Sequence, residues 1–171
     1  MPRLHALELL PDAAGDAAVR ADWQRLRDAG LPSMLDHRGS TNSPHVTVVA
    51  VPEISAADEA RAVDLVGALL PVTVRASGLT LLGGAQVTVA RLLDVDDALV
   101  RAVLDLRASV ATSPERHRGW LPHVSLARRV PRERTQDVVD ALGAGEVVLT
   151  LTTLRRWDPE AGTVRTLGAA H

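Results

Sequence analysis

Cysteine, phenylalanine and tyrosine are absent from this 171-residue sequence, and tryptophan occurs only three times. Without cysteine the chain forms no disulfide and offers neither a thiol nucleophile nor a thiolate metal site. The shortage of aromatic rings limits both aromatic packing in a core and the stacking of nucleic acid bases. Hydrophobic residues still make up 46% of the chain, so we expect a core built mainly from valine, leucine and alanine.

The sequence also lacks a basic excess and a long apolar run. Its formal net charge is −2, whereas proteins that grip long nucleic acid usually carry a positive excess. A short or small phosphate-bearing ligand remains compatible with this charge. No apolar run approaches the ~18 residues that span a membrane, and the start of the chain does not fit a secretory signal. We therefore expect a soluble, cytoplasmic protein without membrane contact.

A short motif occurs twice in the chain. The copies read Pro44-His45-Val46-Thr47-Val48-Val49 and Pro122-His123-Val124-Ser125-Leu126-Ala127. Runs rich in valine and leucine favour strands, in which alternate side chains share a face. His45 and Thr47 therefore point the same way, as do His123 and Ser125. Histidine exchanges protons near neutral pH, so the two rings are suited to acid–base work on a ligand held between them.

The segments around the two motifs match each other about 80 residues apart. In each half a strand, a helix, the motif strand, a helix and a third strand follow in order, and segment 7–10 aligns with 90–93. Such self-similarity indicates a duplicated unit. The prediction is an α+β fold with two pseudo-symmetric lobes, antiparallel sheets around a central cleft and helices outside. Residues 1–171 form one bilobal domain, with half-repeats at about 4–82 and 86–157 and a C-terminal hairpin extension at 158–171.

Several helix boundaries follow from local signals. Asp12 is suited to cap the first helix. Ser55 followed three residues later by Asp58 resembles a capping box. Pro131 is expected to open a later helix that runs through Val138, Val139 and Leu142.

The paired His-x-Thr/Ser motifs resemble those of the 2H phosphoesterase superfamily, and most of all its branch of 2'-5' RNA ligases and RNA 2',3'-cyclic phosphodiesterases. The residues that carry the resemblance are Pro44-His45-Val46-Thr47 and Gly119-Trp120-Leu121-Pro122-His123-Val124-Ser125-Leu126-Ala127-Arg128. The order of elements agrees from about Leu4 to Trp157.

The resemblance implies cleavage, or reverse ligation, of a phosphodiester without metal or cofactor. One histidine would act as general base and the other as general acid, while Thr47 and Ser125 hydrogen-bond the non-bridging oxygens. Ser125 stands where the family commonly has threonine, which keeps the hydroxyl. The expected partner is a small nucleotide or RNA end that carries a 2',3'-cyclic phosphate or a 2'-5' linkage, and the chain is expected to be a monomer.

Other interpretations of the motifs stay open. A single histidine on a strand is usually structural, and the pair is what favours catalysis. A zinc site needs three or four ligands of suitable geometry, but neither motif contains a carboxylate or a second histidine. A module that binds a nucleotide or RNA end on the same fold, without turnover, is the alternative function.

For the residues expected to contact the substrate, the sequence supports more than one interpretation. The resemblance places Arg128 near the phosphate, whereas strict strand alternation places it on the opposite face unless a bulge intervenes. Trp120 is suited either to stack on a base or to cover the edge of the core. Trp157 ends a strand beside a turn, and nothing in the sequence indicates a function for it.

Two charged loops lead to the two motif strands. The first contains His37 and Arg38, and the second contains Arg116, His117 and Arg118. Most charged loops are only solvated, but the symmetric placement of these two also fits a rim that attracts phosphate.

Overall fold

Strands and helices alternate along the chain in this computed structural model, which describes residues 4–110 and 119–170. In chain order the elements are β1 (His5–Pro11), α1 (Ala13–Asp28), β2 (Val46–Val51), α2 (Ala56–Leu65), β3 (Val72–Gly83), β4 (Gln86–Asp94), α3 (Asp97–Val110), β5 (His123–Pro131), α4 (Thr135–Leu142), β6 (Val147–Asp158) and β7 (Thr163–Ala169). Short 3₁₀ turns lie at Met34–Asp36, Gly67–Leu69 and Arg132–Arg134. The predicted α+β class is confirmed.

The strands form one antiparallel sheet in the order β1-β2-β5-β4-β3-β6-β7. Because β6 also pairs with β1, the first six strands of this order close into a ring. Within the described residues, β2 and β5 pair only through Val46 and Val124. The ring therefore has one narrow seam, and the two motif strands meet there.

The two halves of the sequence exchange their third strands. β3 follows the first motif but pairs with β4, while β6 follows the second motif and pairs with β1. Sequence patterns do not show this exchange because they reveal strands and not their partners. The half-repeat boundaries and the extension at 158–171 stay predictions.

Strand pairing also corrects the alignment of the two halves. Thr47 pairs with Glu8 on β1, and Ser125 pairs with Ala90 on β4. Glu8 therefore corresponds to Ala90, whereas the alignment of 7–10 with 90–93 matched it to Arg91 and was wrong by one residue. The exact bounds of short strands are the least reliable part of a prediction from sequence.

Both motif strands carry a bulge directly after the motif hydroxyl residue. The extra residue is Val48 in β2, and Leu126 takes the equivalent place in β5. A second bulge in β5 contains Arg128 and Arg129, and Arg129 adopts a left-handed φ of 57°. Each bulge shifts the alternation of the side chains that follow it.

Helix caps account for most of the helix boundaries. Asp12 accepts a hydrogen bond from the Gly15 amide at 2.8 Å, and Ser55 forms the predicted capping box with its partner three residues on. Pro131 instead ends β5, and a 3₁₀ turn separates it from α4. Val138 and Leu142 of α4 are buried, whereas Val139 is 46% exposed.

One hydrophobic core joins the two halves, and it includes the fully buried Leu7, Trp23 and Val124. A buried ion pair also crosses between them, since Asp22 of α1 binds the Arg91 guanidinium of β4 at 2.5 Å. No helix in the described part of the chain is long and apolar enough to cross a membrane.

Candidate active site

The seam of the sheet brings the two motifs side by side. Val46 and Val124 pair across it, and both are buried. Because the strands are antiparallel, His45 lies next to Ser125 and Thr47 lies next to His123. These four half-buried side chains point to the face opposite the two valines. The structure therefore brings together all four residues predicted to be catalytic.

The two histidine rings are held in the same way. Nδ1 of His45 lies 2.8 Å from the carbonyl oxygen of Ser43, and Nδ1 of His123 lies 2.7 Å from that of Leu121. A carbonyl oxygen only accepts hydrogen bonds, so Nδ1 is the protonated nitrogen of each neutral ring. Nε2 is thereby left in both rings to accept or donate a proton.

Two tryptophans bind the backbone of the motif hydroxyl residues. Trp120 Nε1 donates to the Thr47 carbonyl at 2.9 Å, and Trp23 Nε1 donates to the Ser125 carbonyl at 3.0 Å. Both carbonyls lie at bulges, where the regular ladder is interrupted. Each indole comes from the opposite half of the chain, so the two contacts hold the motif strands crosswise.

A cavity of about 620 Å³ opens beside the first motif. Its lining includes His45 and Thr47, together with Arg128 from β5. His123 and Ser125 do not line this cavity, and lie across the seam from the two first-motif residues. The cavity therefore extends from the seam across β1 to β6, on the side that carries the first motif.

A polar row crosses the floor of the cavity on three strands. Glu8 pairs in register with Thr47 on one side and with Arg155 of β6 on the other. Arg155 Nε donates to Glu8 Oε2 at 2.7 Å, and Glu8 Oε1 lies 3.5 Å from Nε2 of His45. Glu8 is 5% exposed and Arg155 is 8% exposed, so this ion pair is a buried part of the site.

An apolar row lies next to the polar one. Ala6 pairs with Ala50 of β2 and with Trp157 of β6, and all three line the cavity. The small alanines leave open space beside the indole of Trp157. Sequence reasoning missed this role because Trp157 is distant from both motifs along the chain.

Arg128 reaches the cavity because of the bulge at Leu126. Strict alternation would place Arg128 on the face opposite His123 and Ser125. The extra residue reverses the alternation, and Arg128 lines the same cavity as the first motif. Its counterpart in β2 is Ala50.

The other predicted substrate contacts lie elsewhere. Trp120 does not line the cavity, and its ring packs against the core. Arg38 is exposed in a loop whose neighbouring residues His37 and Gly39 do line the cavity. Arg116 and Arg118 lie outside the described residues. Across residues 4–110 and 119–170, no group of three or more candidate ligands is arranged to hold a metal ion.

A family model described as the 2'-5' RNA ligase superfamily matches residues 15–167. This chain belongs to that superfamily. No curated protein matches the chain by sequence. Membership of this superfamily supports a general phosphoesterase or ligase activity for the chain.

Solved structures of other proteins share the fold. The apo form of LigT from E. coli is 18% identical, with a TM-score of 0.52 over 96% of this chain and 93% of that chain. Usb1 from Kluyveromyces marxianus is 13% identical, with a TM-score of 0.57 over 98% of both chains. TT0787 from Thermus thermophilus is 16% identical, with a TM-score of 0.57 over 98% of this chain and 100% of that chain.

Some of these proteins were solved with nucleotides. LigT structures contain 3'-AMP, NADP+ or ATP, and one Usb1 structure contains uridine monophosphate. At such low identities the likeness shows only that this chain shares their fold.

The remaining site residue that sequence reasoning missed is Glu8. It is the one acidic residue in the otherwise apolar run from Ala6 to Leu10. Buried acidic side chains are rare unless they are paired, so its position within a predicted strand was a usable signal. Its partner, Arg155, could not be identified because the β1–β6 pairing joins the two ends of the chain.

Proposed function

We propose that this protein is a phosphodiesterase that uses His45 and His123 as an acid–base pair. The observation that carries the proposal is the matching arrangement of the two rings across the Val46–Val124 pair. In each ring Nδ1 is bound to a backbone carbonyl, and Nε2 is left for proton transfer. Two such groups supply both proton transfers of a phosphodiester cleavage without a metal ion.

The proposed reaction is cleavage, or the reverse ligation, of a 2',3'-cyclic phosphate or a 2'-5' phosphodiester. Thr47 and Ser125 donate hydrogen bonds to the non-bridging oxygens as negative charge develops on them. Arg128 binds the same phosphate, because the guanidinium group suits phosphate oxygens and the bulge turns it into the cavity.

The apolar row gives the nucleoside a place to bind. Ala6, Ala50 and Trp157 form a wall next to Thr47, and stacking of a base on an aromatic ring contributes about 1–3 kcal/mol. The nucleotides bound by LigT and Usb1 support a ligand of this class. The lack of a basic excess favours a small nucleotide or an RNA end. We further propose a monomer that acts in the cytoplasm.

The decisive experiment measures hydrolysis of 2',3'-cyclic nucleotides and of a 2'-5'-linked dinucleotide in buffer that contains EDTA. We expect turnover by the wild-type protein and strong loss in His45→Ala and His123→Ala. His5→Gln serves as the control, because His5 is a buried histidine of β1 that does not line the cavity.

Two results would argue against the proposal. Binding of these nucleotides without turnover would identify a nucleotide-binding module instead. Activity that EDTA abolishes and zinc or manganese restores would indicate metal-dependent catalysis.

A further inference from the structure

The surroundings of the two histidines differ although their rings are held alike. His45 has an acidic neighbour, since Glu8 Oε1 lies 3.5 Å from its Nε2. Among residues 4–110 and 119–170, no acidic side chain forms an ion pair with His123. On the strand of His123, the charged residue that lines the cavity is Arg128.

The difference follows from the duplicated architecture. In the first half, Glu8 pairs in register with Thr47 and Arg155. The equivalent residue of the second half is Ala90, which pairs with Ser125 and with Thr80 of β3. The first half thus has the ion pair of Glu8 and Arg155 at this position, near His45. The second half has the uncharged Ala90 and Thr80 at the equivalent position.

Arg155 fixes which oxygen of Glu8 faces the histidine. Its Nε binds Oε2 at 2.7 Å, and its Nη2 lies 3.5 Å from the Thr41 carbonyl. Oε1 is therefore the oxygen that remains for His45. The other charged or titratable groups around the cavity are Arg128 on β5 and His37 in the loop before β2.

We propose that Glu8 is a positioning residue that makes His45 the general acid and leaves His123 as the general base. An ionised carboxylate only accepts hydrogen bonds, so Glu8 Oε1 gives Nε2 of His45 an acceptor at the position where a general acid carries its proton. Among the described residues, no acidic side chain offers such an acceptor to His123. The inference rests on the proposed function.

The reaction step balances without any further reactant. His123 Nε2 takes the proton of the attacking hydroxyl, from water or from the neighbouring ribose oxygen, as the bond from that oxygen to phosphorus forms. The bond from phosphorus to the leaving oxygen breaks, and the Nε2 proton of His45 passes to that oxygen. No atom changes its oxidation state.

A pair of substrates with different leaving groups tests this assignment. Cleavage of a 2'-5'-linked diadenylate releases an alkoxide that needs a proton, whereas cleavage of adenosine 2'-(p-nitrophenyl phosphate) releases a stable phenolate that does not. Glu8→Gln should lower kcat/KM for the diadenylate about 10- to 100-fold, less than the ~10²–10⁴-fold that a positioned acid contributes. It should leave kcat/KM for the aryl ester nearly unchanged.

The histidine variants complete the comparison. His45→Ala should show the same split between substrates, while His123→Ala should lose activity on both. Glu59→Gln is the matched control, because Glu59 binds Arg156, the residue next to Arg155, at 2.7 Å and does not line the cavity. It should keep full activity on both substrates.

A spectroscopic measurement reports on Glu8 independently of turnover. ¹H–¹⁵N spectra of the histidine rings should show a changed Nε2 signal for His45 in Glu8→Gln, because that nitrogen faces Glu8. The Nε2 signal of His123 should stay where it is in the wild-type protein. If that variant does not fold, because Arg155 is left buried without its partner, the double variant Glu8→Gln/Arg155→Gln removes both charges and should give the same results.

The possible failures are distinct. Equal loss on both substrates in the Glu8 variant, or an aryl-ester activity that survives in His123→Ala, would overturn the role of Glu8. If the wild-type protein turns over neither substrate, the proposed function fails. The spectra then decide the Glu8 inference alone, and an unchanged Nε2 signal of His45 in Glu8→Gln would overturn it.

Discussion

At the scale of single residues, the proposed reaction uses the two motif histidines as one unit. Each ring is oriented by a backbone carbonyl two residues earlier, so the orientation of a ring depends on its own strand and not on the other ring. The proposed reaction, however, needs both rings in opposite protonation states at the same time. The pH dependence of kcat/KM should therefore be bell-shaped and describe the pair as a whole.

Removing either ring should cost a large and similar factor. His45→Ala and His123→Ala should each lower kcat/KM on a good alkoxide substrate by about 10²–10⁴-fold. The double variant should lose far less than the product of the two factors, because residues that act as a unit are not additive. Thr47→Ala and Ser125→Ala should cost about 10- to 10³-fold, as loss of one oxyanion donor does. Steady-state kinetics measure all five variants, and a single histidine variant with full turnover would contradict the paired mechanism.

A second ionisable cluster lies away from the cavity, and we expect it to contribute to stability. Glu59 binds Arg156 at 2.7 Å and Arg165 at 2.6 Å. Burial by itself would raise the pKa of Glu59, but the hydrogen bonds and charges of these two arginines hold its pKa below the usual value of 4.5. Its ionised form is therefore favoured by folding.

The sign of the pH effect follows from that lowered pKa. Glu59 should stabilise the fold fully above about pH 4.5, and this contribution should be lost as the pH falls through its lower value in the folded state. Urea denaturation between neutral and acid pH should show a shallower loss of stability in Glu59→Gln than in the wild-type protein. Parallel curves for the two proteins would show that Glu59 does not contribute.

At the scale of elements, the bulges decide what the motif strands present to the cavity. Each bulge frees a carbonyl, and an indole N–H from the other half of the chain binds it. Removal of such a donor leaves an acceptor without its partner in a partly buried position. The two indole N–H groups therefore stabilise the bulged geometry of the motif strands.

Trp120→Phe tests this stabilisation. The variant keeps an aromatic ring but loses the donor to Thr47, so the free energy of unfolding should fall by about 1–2 kcal/mol. kcat should fall as well, because loss of this hydrogen bond should let β2 shift, and His45 and Thr47 lie at the start of β2. Trp157→Phe is the control for stability, since the indole of Trp157 makes no hydrogen bond that the structure shows within the described residues. Chemical denaturation of both variants makes the comparison, and equal stability would refute the role of the Trp120 N–H.

Sequence patterns were sufficient for the elements but not for their partners. Apolar periodicity and caps such as Asp12 located the helices and strands, and the repeated motif identified the four polar residues at the seam. Alternation failed for Arg128 because a bulge adds one residue without any marked change in composition. Glu8 was missed because its function depends on Arg155, which lies near the other end of the chain.

At the scale of the whole molecule, the buried ion pair between Asp22 and Arg91 joins the two halves. Both side chains are almost fully buried, and Arg91 also donates to the Gly145 carbonyl at 2.9 Å. Such a pair adds little to the free energy of unfolding relative to apolar residues of the same size. Loss of one partner, however, leaves a buried charge uncompensated, which is strongly destabilising.

Asp22→Ala should therefore lower the free energy of unfolding by about 3–5 kcal/mol. The double variant Asp22→Leu/Arg91→Met should recover most of that loss, because it leaves no unpaired charge in the core. Thermal and urea denaturation of both proteins provide the measurement. A double variant that is as unstable as the single one would show that the pair itself, and not the stranded charge, holds the halves together.

The exchange of third strands between the two halves also bears on what each half can do alone. A single half would leave its third strand without a partner and its first strand with an open edge. Either half expressed by itself would satisfy these pairings only by lending its third strand to a second copy, which gives a dimer with two-fold symmetry.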